Sequence, residues 1–130
     1  MGWPRIDGLR TMEIGTPGAM RKELTGLVLA GPKRGTAGLL SEYADEGEEL
    51  ERVGEVMVLV DDDITEIGRI RITAVDVVAF GAVSDEFARS EGEGYAGRRE
   101  WAVAHRAFWE RGGNAITDAT PVVCVGFDLL

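Results

Sequence analysis

Strand-like alternation in the middle and at the end of the chain, with helical periodicity before and between, predicts an α+β domain. Three observations carry this reading. The apolar run Val56-Met57-Val58-Leu59-Val60 leads into a long alternating stretch that reaches Phe80. The chain closes on a second alternating run from Pro121 to about Leu129. Apolar residues recur at helical spacing in two further segments, one before the strands and one between them. No βαβ repeat, internal repeat or low-complexity tract interrupts this order.

Residues 1–13, with Trp3, Pro4 and no sustained periodicity, read as an extended N-terminal arm, and 14–130 as one domain. The 130 residues are 45% hydrophobic and 28% charged, a length and composition that support a single core. Thr16 is placed to cap a helix with Pro17 at its first position. Met20, Leu24, Leu27 and Val28 then predict a helix over about 17–30, stopped by Gly31-Pro32. Arg21, Lys22 and Glu23 fall between those apolar positions and read as a solvated face. The acidic run from Asp45 to Glu51 reads as solvated surface as well.

Val53-Gly54-Glu55 marks a turn into the strand of Val56 to Val60, and Asp61-Asp62-Asp63 marks a hairpin. The three aspartates lack the glycine-spaced loop and terminal glutamate of a calcium site, so a turn is the expectation. The following long strand is expected to bend near Gly68 or Asp76. Ser84 caps a short helix whose first turn holds Asp85 and Glu86. The glycine-rich segment Glu91 to Gly97 stops that helix. Trp101, Ala104, His105 and Phe108 predict a full helix from Arg98 to Arg111, ended by Gly112-Gly113.

Composition limits the partners. The formal charge of −9 opposes long-range attraction to a polyphosphate, although a local basic patch can still hold one phosphate or a short strand. The single cysteine, Cys124, sits in an apolar run, reads as a small buried hydrophobe, and suits a reducing cytoplasm. No apolar run is long enough to span a membrane, and the expected protein is soluble. One histidine and one cysteine do not make a zinc ligand set, and no metal or cofactor is expected.

The segment Gly31-Pro32-Lys33-Arg34-Gly35-Thr36, directly after a helix and before a strand-like run, matches the signature Gly-x-Lys-x-x-Thr of the ASCH family. The order of segments around it is also similar: Leu-Leu-Ser-Glu-Tyr, an acidic loop, the Val-Gly hairpin, Asp-Glu-Phe-Ala before Glu-Gly-Glu-Gly, a Trp-x-x-x-His helix and a closing Pro-Val-Val-Cys strand. The resemblance covers roughly residues 14–130 and implies a small PUA-like β-barrel with flanking helices. It also implies an RNA-related role, which in some members is hydrolysis of acetylated cytidine or RNA cleavage. Many members carry an arginine two positions after the threonine; this chain has Gly38 there.

From the resemblance, Lys33, Thr36 and Glu91 are the candidate catalytic residues. In one scheme Thr36 attacks an amide carbonyl, Lys33 is the base and Glu91 aligns it; in another, Lys33 and Glu91 activate water while Thr36 only binds substrate. A lysine acts as base only when burial lowers its affinity for the proton, so the fold must supply that burial. Lys33 and Thr36 are three residues apart and are expected at the rim or floor of one concavity. Gly31 of the signature, Tyr43, Tyr95, Trp101 and His105 are candidate ligand contacts, the aromatics as surfaces for a base. His105 lies on the apolar stripe of its helix, which favours packing over acid-base work.

The reading that best fits the charge is a small hydrolase acting on a modified nucleoside or similar amide, resembling the N4-acetylcytidine amidohydrolases. A neutral nucleoside needs no cationic funnel. A non-catalytic RNA-binding module and a ribonuclease are the alternatives. A continuous stripe of Arg34, Arg69, Arg71, Arg98 and Arg99 would favour RNA, and a closed pocket around Lys33 the hydrolase.

Overall fold

The computed structural model describes residues 2–130. Six strands form one mixed sheet: β1 (Arg5–Ile6), β2 (Leu9–Met12), β3 (Gly35–Leu39), β4 (Val56–Val60), β5 (Glu66–Ala79) and β6 (Pro121–Leu129). The helices are α1 (Ala19–Ala30), α2 (Leu40–Glu46), α3 (Asp85–Ser90) and α4 (Arg98–Arg111), with a 3-10 turn at Phe80–Ala82. The α+β class stands, and α4, β4 and β6 fall where the periodicity places them. No helix among the described residues is long and apolar enough to cross a membrane.

The strand order is β1-β2-β4-β5-β6-β3, with β2 parallel to β4 and every other pair antiparallel. The expected closed barrel is therefore not formed. Closure would need a hydrogen-bonded ladder between β2 and β3; instead β2 ends beside a two-residue strand and β3 is the other edge. The segment Thr11 to Glu13 and the β3 residues Thr36 to Gly38 line a common cavity, so the seam is open. The long β5 does bend, with register irregularities opposite Leu59/Val60, beside Gly68, and at Ile72/Ala74. The second falls at Thr73, and Asp76, the other expected bend, pairs in register with Cys124.

Two apolar clusters hold the sheet. One joins Leu24 and Val28 of α1 to Met57, Leu59, Ile70, Ile72, Val123, Val125 and Phe127. The other packs Trp101 and Trp109 of α4 and Ala88 of α3 on Leu39, Phe80, Val122 and Cys124. Both faces of β6 are thus covered, which explains its nearly continuous apolar sequence.

Three surface expectations change. The helix begins at Ala19 after Gly18, not at Pro17; the Gly18 amide donates to Asp62 Oδ2 at 2.9 Å. Arg21 is not solvated: it is 6% exposed, donates to the carbonyls of Ile14 and Gly15, and pairs with Glu13 and Asp62. In the acidic run, Glu48 pairs with Arg5 and Arg10, and Glu51 is buried with the Tyr43 hydroxyl donating to it at 2.9 Å. The triple aspartate is a turn, with Asp61 Oδ1 accepting from the Asp63 and Thr65 amides.

Candidate functional site

The site forms where the turn after α1 meets the turn after α3. Gly31 ends α1 in the left-handed region, its amide donating to Leu27 and Val28 carbonyls, and Lys33 follows two residues later. The Arg34 amide donates to the Ser90 carbonyl at 2.8 Å and stitches the two turns together. Gly92 allows their close approach. Its φ is +66°, and a Cβ there would lie 2.3 Å from the Pro32 carbonyl oxygen and 2.6 Å from the Lys33 nitrogen. This contact sets Glu91 and Glu93 on either side of the Lys33 side chain.

Lys33 is 1% exposed. Its Nζ lies 2.8 Å from Glu93 Oε2, 3.2 Å from Glu91 Oε1 and 3.4 Å from the Glu91 carbonyl oxygen. Three acceptors meet the three protons of an ammonium. Glu91 is buried to the same degree, and its Oε2 accepts from the Trp101 indole and faces His105 Nε2 at 3.3 Å. Burial pushes the Glu91 carboxyl up, but His105, Lys33 and Trp101 together outweigh it and hold the carboxyl below the ordinary range.

Trp101 and His105 reach Glu91 from successive turns of α4, and their rings stack at 4.2 Å. His105 Nδ1 lies 3.0 Å from the Trp101 carbonyl oxygen, so each ring nitrogen faces an oxygen. Tyr95 donates to Glu93 Oε1 at 3.3 Å; burial and then the neighbouring carboxylates push its phenol above its ordinary range.

Lys33, Thr36, Glu91, Glu93, Tyr95 and His105 all line one cavity of about 300 Å³, closed on its apolar side by Met20, Leu24 and Phe108. A pocket of this size is at the small end of those that take a ligand. Lys33 and Thr36 share one concavity as expected, but Lys33 is a buried ion-paired group and not a rim cation. His105 faces this cavity and is not sealed in the core. Trp101 is 0% exposed and offers no face to a ligand; its indole donates to Glu91. Gly31 serves the helix end and does not line the cavity. Tyr43 lies in a second cavity of about 170 Å³ with Glu51.

Sequence reasoning missed Glu93 and Phe108. The available signal for Glu93 was the Glu-Gly-Glu spacing, in which a glycine turn allows both acids to grip one cation. Among the described residues, no group of three or more His, Cys, Asp or Glu side chains is arranged to hold a metal ion.

The ASCH domain model matches residues 10–130, and the chain belongs to that family. It is similar to the crystal structure of an ASCH domain from Lactobacillus crispatus JV V101, with 29% identity and a TM-score of 0.79, over 92% of this chain and 77% of that one. It is also similar to protein EF3133 from Enterococcus faecalis V583, with 25% identity and a TM-score of 0.78, over 91% of this chain and 74% of that one. The curated proteins contain no match to the chain.

Proposed function

We propose that the larger cavity is the active site of a small amidohydrolase that removes an acyl group from a modified nucleoside or similar small amide. The observation that carries this reading is the buried Lys33, held by two carboxylates in the cavity that Thr36 also lines. An ammonium donating to three acceptors is not a base. The pair with Glu93 nevertheless has a short path to a neutral form, because its proton has only to move along the 2.8 Å hydrogen bond.

A ligand that fills the cavity expels water, and a water-poor site disfavours separated charges, so the proton passes from Lys33 to Glu93. Glu93 then turns its new O–H from Lys33 to the amide nitrogen, and the lone pair this frees on the neutral amine takes the Thr36 hydroxyl proton as Oγ1 bonds to the amide carbon. Glu93 returns its proton to the departing amine as the C–N bond breaks. In the second half, Glu93 accepts a proton from water, the hydroxide attacks the acyl-threonine, Lys33 reprotonates the released Thr36 oxygen, and the proton on Glu93 returns to Lys33 to restore the ion pair. Glu91 is a positioning residue: it holds Lys33 through one carboxylate oxygen and its carbonyl, and is itself fixed by Trp101 and His105.

The RNA readings draw less support. Arg34 pairs with Asp128, and Arg69 with Asp7 and Glu66, so these two members of the anticipated basic stripe face carboxylates. Arg98 is turned to the Phe80 carbonyl and ring. Incubation with N4-acetylcytidine, followed by chromatography, tests the proposal: equal amounts of cytidine and acetate are expected. No product from a panel of acylated nucleosides and small amides would contradict it and put the RNA-binding module ahead.

A further inference from the structure

We propose that the open seam between β2 and β3 is the acyl subsite of the same centre, and that Gly38 sets its size. This inference rests on the amidohydrolase reading. The two cavities are neighbours across one strand, because Thr36 and Ala37 line both of them. A carbonyl carbon in reach of Thr36 therefore sits at their junction. Its two substituents leave in different directions, and each cavity is placed to take one.

The chemistry of the walls assigns them. The larger cavity brings together Lys33, Glu93, Tyr95 and His105, groups that orient a polar amine half such as a nucleoside base. The smaller one presents Met12, Met57, Val125 and the Tyr43 ring beside Thr11 and three glutamates, so it offers a short hydrocarbon chain or a ring an apolar wall with a polar edge. Its carboxylates are largely engaged: Glu42 accepts from the Leu39 amide at 3.0 Å and Glu51 from the Tyr43 hydroxyl at 2.9 Å. With Glu13 they give the seam an acidic lining, so the subsite favours neutral acyl groups over those ending in a carboxylate.

Gly38 stands in β3 opposite Val123, with no left-handed backbone, and lines the seam. A Cβ added there would meet only Tyr43 Cε1, at an ordinary contact distance of 3.7 Å. The backbone thus accepts a side chain, which would grow into the cavity.

The test compares kcat/KM for N4-acetyl-, N4-benzoyl- and N4-succinylcytidine in the wild type, Gly38→Ala and Gly38→Leu. Benzoyl should be accepted and succinyl disfavoured by the wild type. The benzoyl-to-acetyl ratio should fall stepwise, by about tenfold or more in Gly38→Leu. Hydrolysis with an unchanged ratio in both variants would overturn the subsite while leaving the amidohydrolase reading intact. If the wild type cleaves none of the three, that reading fails, and calorimetric titration of cytidine and N4-benzoylcytidine decides the subsite separately. Selective loss of benzoylcytidine affinity in the Gly38 variants supports it; equal affinities overturn it. Gly38→Ala, which adds one methyl in open contact, keeps the test valid if Gly38→Leu does not fold.

Discussion

Lys33 Nζ and Glu93 Oε2 lie 2.8 Å apart around a lysine side chain that is 1% exposed. Removing one member of a buried pair leaves the other charge without compensation, at a cost of about 4 kcal/mol. Lys33→Met should therefore lower stability by roughly that amount in urea denaturation. Lys33→Met combined with Glu93→Gln should recover part of the loss. Equal stability of Lys33→Met and the wild type would show that the pair is not buried as described. Stability controls are therefore needed for any kinetic experiment at this position.

Gly92→Ala should damage the site although it changes none of the side chains that line it. The added carbon would press on the Pro32 carbonyl and the Lys33 nitrogen, at a φ that side chains rarely adopt. A loss of about 3 kcal/mol or more is expected, together with loss of turnover. A thermal melt that is unchanged would mean the two turns do not touch.

Trp101→Phe keeps most of the ring and removes the indole donor to Glu91. Stability at neutral pH should fall by about 2 kcal/mol, the worth of a hydrogen bond to a charged group. The sign of its pH dependence follows from the Glu91 carboxyl, which is held below its ordinary value of 4.5 in the folded state. Such a group stabilises the fold above that value, and the contribution disappears as pH falls through the folded value. The difference between wild type and variant should therefore shrink on acidification. A difference that is constant from neutral to acid pH would show that Trp101 contributes by packing alone.

Glu51 has the opposite sign. Burial pushes its carboxyl above the ordinary range, so the folded state binds the extra proton and stability is lost as pH rises through that window. Glu51→Gln keeps a partner for the Tyr43 hydroxyl and has no charge to bury. It should gain on the order of 1 kcal/mol, or about 3 °C in Tm, above the carboxylate range and nothing below it. A gain of the same size at every pH would remove the burial argument.

Periodicity made α4, β4 and β6 legible, because their apolar spacing over five or more residues leaves one solution. The short α2 was not legible: it follows an apolar N-cap, Leu39, and its only signal is Glu42 reaching back to the Leu39 amide. The pairing of β2 with β4 depends on a parallel contact more than 40 residues away and leaves no local pattern. The site divides in the same way. Lys33, Thr36 and Glu91 were named from a motif and a resemblance, whereas Glu93 and the facing of His105 depend on which turns meet. Arg21 and Glu51 were misread as surface because their partners lie outside their own elements: the Ile14 and Gly15 carbonyls and Asp62 for Arg21, and the Tyr43 hydroxyl for Glu51.

Thr36→Val removes the proposed nucleophile and little else. Valine is also β-branched and suits β3, so the fold should be retained and only the hydroxyl removed. Turnover of N4-acetylcytidine by the two proteins, measured at equal folded fraction, is the measurement. Hydrolysis by the wild type and at least about a thousandfold loss in kcat for Thr36→Val are expected. Comparable turnover in the two would contradict attack by Thr36 and, with it, the assignment of the cavity's chemistry.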